Sequence, residues 1–418
     1  MAESIHVLHF ADTHIGMENY GKTDPETGLS SRVVDFLRRM DEVVAYAREE
    51  VVDLVIFAGD AFKTRAPNPT FQREFAWRVR DLAEIAPVVL LVGNHDLPPT
   101  ALKASSIEIY DTLAVPNVWV AGDYEVREVE TKGGPVIIGT APYPIRSRLL
   151  QQVATAGMTV AETDALLQQQ LTDILEDLAQ EADKIGGAGE TPRLLTGHFT
   201  VTGAIQGSER TVMLGRDVQV LLSSVADDRW DYVALGHIHK HQNLTPTRPD
   251  APPVVYSGSL ERIDFGEEGD GKGFCRVELA RGDTTWEFVP VAARPFVTLR
   301  ADLRTVKSPT DKLLRQINKH DLEGAVVRLW LEVTPESETR LNEASIREAL
   351  RRAGAFSIAS LRKEVEQPAR ARLGGSPEGM THEELLERYL ISKEIRQERR
   401  AELMDAARVI FDEVSDLT

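Results

Sequence analysis

Five short polar motifs each close an apolar run within the first 240 residues, and that repetition constrains the fold more than any other feature. Asp12-Thr13-His14 follows Val7-Leu8-His9-Phe10, and Gly59-Asp60 follows Leu54 to Ala58. Gly93-Asn94-His95-Asp96 follows Val88 to Val92, Gly197-His198 follows Leu194-Leu195, and Gly236-His237-Ile238-His239 follows Tyr232 to Leu235. Short apolar runs ending at glycine or polar residues read as buried strands. In α/β architectures ligand sites form outside the carboxyl ends of strands. The motifs are therefore expected together, on the strand ends of one sheet.

Between the runs the apolar spacing changes from strand-like to helical. Val33, Phe36, Leu37, Met40, Val43, Val44 and Ala47 recur at three- and four-residue intervals, predicting a helix over 33–50. A second helix is expected over 70–85. Thr159-Val160-Ala161-Glu162 is a capping box opening a long helix to about residue 184, with Leu167, Leu171, Ile174 and Leu178 on one face. Further strands are expected at 118–121, 124–130, 135–140, 193–196, 253–257, 273–280 and 284–291. The domain layout expected is 1–293, then a small α+β module over 294–366, a linker over 367–380 containing Gly374-Gly375-Ser376-Pro377, and a helical segment over 381–418. The α+β module is read from residues 296–303, a helix at 309–319, a strand at 325–333 and a helix at 342–353. Thr381-His382-Glu383-Glu384 is a second capping box, and Leu385, Leu386, Tyr389, Leu390, Leu403 and Ile410 give the last segment an apolar stripe.

Charge is unevenly placed. The net charge is −18, yet residues 294–418 hold equal numbers of basic and acidic side chains, so residues 1–293 carry all of it. A field of that sign opposes polyanions, so a nucleic-acid substrate requires local cations, metals or a partner. No apolar run approaches the roughly 18–20 residues of a membrane span. Met1-Ala2-Glu3-Ser4 lacks a secretory leader's basic and apolar regions. The one cysteine, Cys275, allows no intrachain disulfide and reads as a small buried hydrophobe. These features predict a cytoplasmic protein.

The motif residues have the donor types of a two-metal hydrolase, which holds two cations about 3.5–4 Å apart. Asp60, at a tight Gly-Asp turn, is the natural bridging carboxylate because its two oxygens can serve both ions. Asp12, His14, His198, His237 and His239 supply oxygen and imidazole donors, and Asn94 a neutral carbonyl oxygen. A mixed N/O set without thiolate suits Mn²⁺, Fe or Zn²⁺ rather than Ca²⁺. His95 is left to face a scissile phosphate. His6, His9, His241, His320 and His382 fall outside the pattern and read as surface or packing histidines.

In this order the motifs resemble those of the calcineurin-like metallophosphoesterase superfamily. Narrower resemblance is to the SbcD-like, bacterial branch of the double-strand-break-repair nucleases. It rests on Asp12 to Gly16, Tyr20-Gly21, Arg32 with Asp35-Phe36, Arg65-Ala66-Pro67-Asn68-Pro69, His198-Phe199-Thr200-Val201-Thr202-Gly203-Ala204, Tyr256-Ser257-Gly258-Ser259-Leu260-Glu261-Arg262 and Phe265-Gly266-Glu267. It spans residues 5–290 closely and 294–418 only in layout. The resemblance implies a two-sheet sandwich flanked by helices, with a capping domain and a C-terminal helical tail. One metal would take Asp12, His14, Asp60 and His239, the other Asp60, Asn94, His198 and His237. His95 would stabilise the transition state or protonate the leaving oxygen. Mn²⁺ dependence, DNA as substrate, a homodimer and an SMC-like ATPase partner of the SbcC type, gripped by the C-terminal helices, are also implied.

One position departs from that pattern. Three residues after the bridging aspartate, where relatives often carry Asp or His, stands Lys63, which cannot accept an imidazole hydrogen bond. Either Asp96 or another group orients His95, or Lys63 contacts the phosphate directly. Absence of Gly-Asp-x-Val-Asp-Arg-Gly argues against the protein-phosphatase branch. The alternative function is another dinuclear phosphoesterase, acting on nucleotides, cyclic nucleotides or lipid-linked phosphates. The linker and helices beyond residue 366 favour the nuclease.

Overall fold

The computed structural model describes residues 4–97, 103–151, 157–187, 189–207, 217–248, 250–366, 380–393 and 395–415. Apart from Met380, the linker expected over 367–380 lies outside them. The described residues contain no helix long and apolar enough to cross a membrane.

Two six-stranded sheets form the body. The first contains β1 (Ile5–Phe10), β2 (Leu54–Phe57), β3 (Val88–Leu91) and β4 (Val118–Ala121). The second begins with β5 (Glu125–Thr131), β6 (Gly134–Ala141) and β7 (Arg193–His198). A two-stranded ribbon, β8 (Thr200–Val201) with β9 (Gln219–Val220), follows, and then β10 (Tyr232–Gly236), β11 (Gln242–Asn243) and β12 (Val254–Tyr256) rejoin the second sheet. The chain returns to the first sheet through β13 (Gly273–Leu279) and β14 (Thr285–Pro290). Strand orders are β14-β13-β1-β2-β3-β4 and β11-β12-β10-β7-β6-β5. The strands that precede the motifs are parallel within each sheet, with Phe10 beside Phe57 and Gly236 beside His198. Parallel pairing brings their carboxyl ends to one side.

Alternation along β1 shows how the layers assemble. Ile5 and Val7 enter an inter-sheet core with Leu54, Ile56, Val89, Leu91, Ile138, Leu194 and Ala234. Leu8 and Phe10 point the other way, against Val33, Leu37 and Met40 of α1 (Ser31–Glu49) and Phe75 and Val79 of α2 (Pro69–Ala83). The second sheet is covered likewise by α3 (Val160–Gly186), whose Leu167, Leu171, Leu175 and Leu178 meet Leu195, Val233 and Leu235. Both faces of each sheet are thus buried, which is why the central strands read as unbroken apolar runs. Thr159 and Glu162 form the expected capping box. Cys275 is buried between the sheets, where burial pushes its thiol up to about 12.

The remaining strands, β15 (Phe296–Asp302), β16 (Val326–Val333) and β17 (Ser357–Val365), form a three-stranded sheet in that order. Helices Pro309–Ile317 and Glu343–Arg352 fall in the sequence between them. β17 is an addition to the expected elements. The described residues divide into two compact units, one made of those that fall within Met1–Leu299, His320–Arg328 and Ala349–Ser360, the other of those within Arg300–Lys319, Leu329–Glu348 and Leu361–Thr418. Within the second unit, helices His382–Ser392 and Gln397–Ser415 pair through the His382 and Phe411 rings, 5.7 Å apart, and through Arg408 Nε to Glu383 Oε2 at 3.2 Å.

Candidate metal centre

All five motifs meet, but the strands that deliver them belong to two sheets rather than one. Asp12, His14, Asp60, Asn94 and His95 follow β1, β2 and β3 of the first sheet, whereas His198, His237 and His239 end or follow β7 and β10 of the second. Apolar runs from either sheet look alike in sequence, so one sheet could not be told from two.

The turns that aim these side chains are conformationally unusual. Asp12, His14, Asp60 and His237 have φ of 53°, 38°, 62° and 89°. Non-glycine residues seldom adopt that region, which costs of order 1–3 kcal/mol each. Two glycines make room for the result. A Cβ on Gly93 would strike Asp60 Oδ1, and one on Gly59, at φ 98°, would strike His198 Nδ1.

Asp60 lies at the centre of the cluster. Its Oδ2 is 3.4 Å from His198 Nε2 and 3.7 Å from His14 Nε2, on opposite flanks of the site, while Oδ1 accepts His95 N–H at 2.8 Å. His14 Nε2 faces His239 Nε2 at 3.0 Å, and Asp12 has a carboxylate oxygen within 4.8 Å of donors on both. On the other flank Asn94 Oδ1 is 3.0 Å from both His198 Nε2 and His237 Nδ1. The residues expected at the two metals are therefore gathered as two adjoining subsets about Asp60.

Each remote imidazole nitrogen seen in a hydrogen bond has a defined acceptor. His198 Nδ1–H donates to Ala58 O at 2.7 Å. Glu267 Oε1 accepts from His239 Nδ1 at 2.8 Å, and Asp217 Oδ2 lies 3.2 Å from His237 Nε2. Such contacts orient the ring and fix the tautomer that leaves the other nitrogen for a cation. Sequence reasoning marks neither Glu267 nor Asp217 as a site residue. Glu267 falls within the family-like Phe265-Gly266-Glu267 segment, and Asp217 carries no signal.

Asp96 does not orient His95. Its carboxylate accepts N–H from Asp60 (2.8 Å), Gly93 (3.0 Å) and Ala61 (3.1 Å), and the Ser106 hydroxyl at 3.1 Å. His95 Nδ1–H donates instead to the main-chain carbonyl of Lys63 at 2.7 Å. The side chain of Lys63 is half-buried and takes no part in that bond.

Electrostatics of the cluster call for positive charge. Burial opposes ionisation of Asp60, yet the His198, His95 and His14 imidazoles hold its carboxyl well below the usual range. Burial also opposes a charged His198, but Asp60 beside it and then Asp12 push it up to about 9. Burial holds His14 well below the ordinary imidazole range and raises Asp12. Burial, with the nearby Asp60 charge, pushes Asp96 up to about 7 against the pull of its N–H donors. Two buried carboxylates, an amide oxygen and four imidazoles without thiolate are a donor set that fits a pair of divalent cations. His9 and His241 stand apart from it. His9 bonds Leu235 O and Tyr232 Oη at 3.2 Å each, and His241 stacks on Phe288 at 4.1 Å.

Residues 5–241 match the calcineurin-like phosphoesterase family, and the chain belongs to it. It is a metal-dependent phosphoesterase. Over 303 residues it is 27% identical to the SbcD component of nuclease SbcCD from Bacillus subtilis (strain 168), covering 71% of this chain and 72% of that protein. Over 410 residues it is 24% identical to the SbcD component of nuclease SbcCD from Escherichia coli (strain K12), covering 95% of each. The crystal structure of a dimetal phosphatase from Danio rerio superposes with a TM-score of 0.37 at 12% identity, over 68% of this chain and 99% of that one.

Proposed function

We propose that this protein is the nuclease component of an SbcCD-type complex, hydrolysing DNA phosphodiesters as a double-strand exonuclease and a single-strand or hairpin endonuclease during break repair in the cytoplasm. The observation that carries this reading is the convergence of Asp12, His14, Asp60, Asn94, His198, His237 and His239 in one buried cluster centred on Asp60. Similarity to SbcD proteins over nearly the whole chain favours DNA over a small phosphoester.

Asp12, His14, Asp60 and His239 hold one cation, and Asp60, Asn94, His198 and His237 the other, with Mn²⁺ the expected metal. When bound, the pair neutralises phosphoryl charge and lowers the pKa of the attacking water. The residues themselves do the rest. Asp60 is shared by both subsets through Oδ2, which faces His14 and His198, while its Oδ1 is engaged by His95 N–H. His95, latched at Nδ1 by the Lys63 carbonyl, presents Nε2 to the phosphate; as the imidazolium it gives its Nε2 proton to the leaving oxygen and keeps the Nδ1 proton on the carbonyl. Lys63 is assigned as a contact to a neighbouring DNA phosphate.

The layout is read as a catalytic domain over 1–293, a capping domain over 294–366 and, after the linker, a module over 381–418 that docks an SbcC-type SMC-like ATPase. A homodimer brings two sites to one DNA. The test is digestion of end-labelled duplex and hairpin DNA with Mn²⁺, beside a dye phosphodiester. Cleavage of both substrates is expected, and cleavage of the dye alone would overturn the nuclease reading.

A further inference from the structure

Behind His239 lies a charge pair that the reaction does not use. The side chains of Glu267 and Lys272 are both fully buried, with Lys272 Nζ 2.7 Å from Glu267 Oε2. Glu267 Oε1 accepts from His239 Nδ1 at 2.8 Å, and its Oε2 also accepts Ile263 N–H at 3.1 Å. Lys272 donates to Ser259 Oγ at 2.8 Å and to the main-chain carbonyl of His239 at 3.0 Å. That carbonyl also accepts Ser259 N–H at 3.1 Å. The histidine is thus gripped at both its ring and its backbone.

Stability alone does not account for such a pair. Desolvating two charges is costly, and well-packed apolar residues of similar volume often serve a fold equally well or better. The arrangement does suit a metal ligand. An ionised carboxylate on the remote nitrogen fixes the tautomer and raises the basicity of the nitrogen facing the cation. Kept in an apolar interior, that carboxylate needs a permanent counter-charge. Its neighbours on the metal side cannot supply one without giving up their own role.

We infer that Glu267 and Lys272 are positioning residues for His239, Lys272 pairing with the carboxylate of Glu267 that holds the His239 ring, so that Glu267 strengthens one of the two cation sites. The inference rests on the two-metal reading proposed above. It extends that reading by making the sites unequal. In the other subset His198 meets a backbone carbonyl and His237 meets the Asp217 carboxylate, which the Thr200 hydroxyl contacts, whereas the carboxylate behind His239 is paired with a buried ammonium.

The test is Mn²⁺ titration of the full-length metal-free chain by calorimetry. The wild type, Glu267→Gln and the double variant Glu267→Gln with Lys272→Met are compared, with thermal melting before metal addition. In the double variant the carboxamide oxygen can still accept the His239 proton and no charge is stranded. Melting near the wild-type temperature is expected, with affinity at one site lowered about 10–100-fold and the other site unchanged. Wild-type affinity at both sites in either folded variant overturns the inference, as does equal weakening of both. If the double variant fails to fold, Glu267→Gln alone is read by the same criteria. A wild-type chain that binds fewer than two equivalents overturns the two-metal reading instead, so the two failures are distinct.

Discussion

His95 donates its Nδ1–H to the main-chain carbonyl of Lys63, 2.7 Å away across the gap between the second and third motifs. A carbonyl can only accept, so Nδ1 keeps its proton in either charge state of the ring, and Nε2 is the nitrogen left to the site to give up a proton. The latch depends on the backbone at position 63 and is indifferent to the side chain there. His95→Ala, or His95→Asn, is accordingly expected to keep both cations while losing about 10²–10⁴-fold in turnover, the range of general acid catalysis. Metal analysis beside kcat measurement checks it, and a parallel fall in both would make His95 a ligand.

Lys63→Ala is expected to leave kcat on a dye phosphodiester at the wild-type value, because the carbonyl latch survives. DNA affinity should fall, with the dependence of log affinity on log salt flattened by about one phosphate contact, roughly 0.9 for duplex DNA. An unchanged salt slope would remove Lys63 from the DNA interface.

Asp60→Ala should abolish hydrolysis and two-metal binding together, whereas His239→Ala should leave one cation site populated. Elemental analysis after gel filtration distinguishes them. Two-metal occupancy in Asp60→Ala would end the assignment of Asp60 as the shared carboxylate.

Asp96→Asn tests the loop that carries the shared aspartate. Three backbone N–H groups and the Ser106 hydroxyl converge on that carboxylate, and an amide NH₂ must face at least one of them. Leaving a buried donor unpaired costs about 1–3 kcal/mol. A lower melting temperature is expected even without metal, together with weaker Mn²⁺ binding because Asp60 N–H loses its anchor. A variant as stable as the wild type would mean the loop is held by its apolar neighbours instead.

Gly59→Ala should be worse than an ordinary surface change, since it meets both a positive φ and the His198 ring. Displacement of that ring breaks its 2.7 Å bond to Ala58 O. Lost activity in a still-folded protein, checked by circular dichroism beside DNA digestion, is the expected outcome.

The motif residues and most strands are legible in the sequence because apolar runs and ligand-type side chains are both written in single letters. What escapes is of a different kind. The Lys63 carbonyl has no letter, since every residue possesses one. Asp96 adjoins His95 in the chain yet turns to the Asp60 loop, because neighbours along a turn need not share a face. Glu267 and Lys272 come from the chain leading into β13 and reach His239 only through the tertiary fold. In β17 the apolar positions Ile358, Leu361 and Val365 lack strict alternation, and the strand is evident only beside β16. The docking role of 381–418 remains a proposal, although its two helices and the Thr381 capping box take the form the sequence implies.

Because Asp60 and Asn94 follow strands of one sheet and His198 and His237 belong to the other, a cation held among them would add a strong tie between two layers otherwise joined by packing and a few hydrogen bonds such as His198 to Ala58 O and His9 to Leu235 O. It would act as a rivet through the sandwich. Any ligand that binds only the folded state stabilises it, by about 2.7 kcal/mol when present at a hundred times its dissociation constant. Here the gain should be spatially selective. Chelation should raise hydrogen exchange first at the carboxyl ends of β3, β7 and β10, where the layers would part, while the opposite ends remain protected by the inter-sheet core.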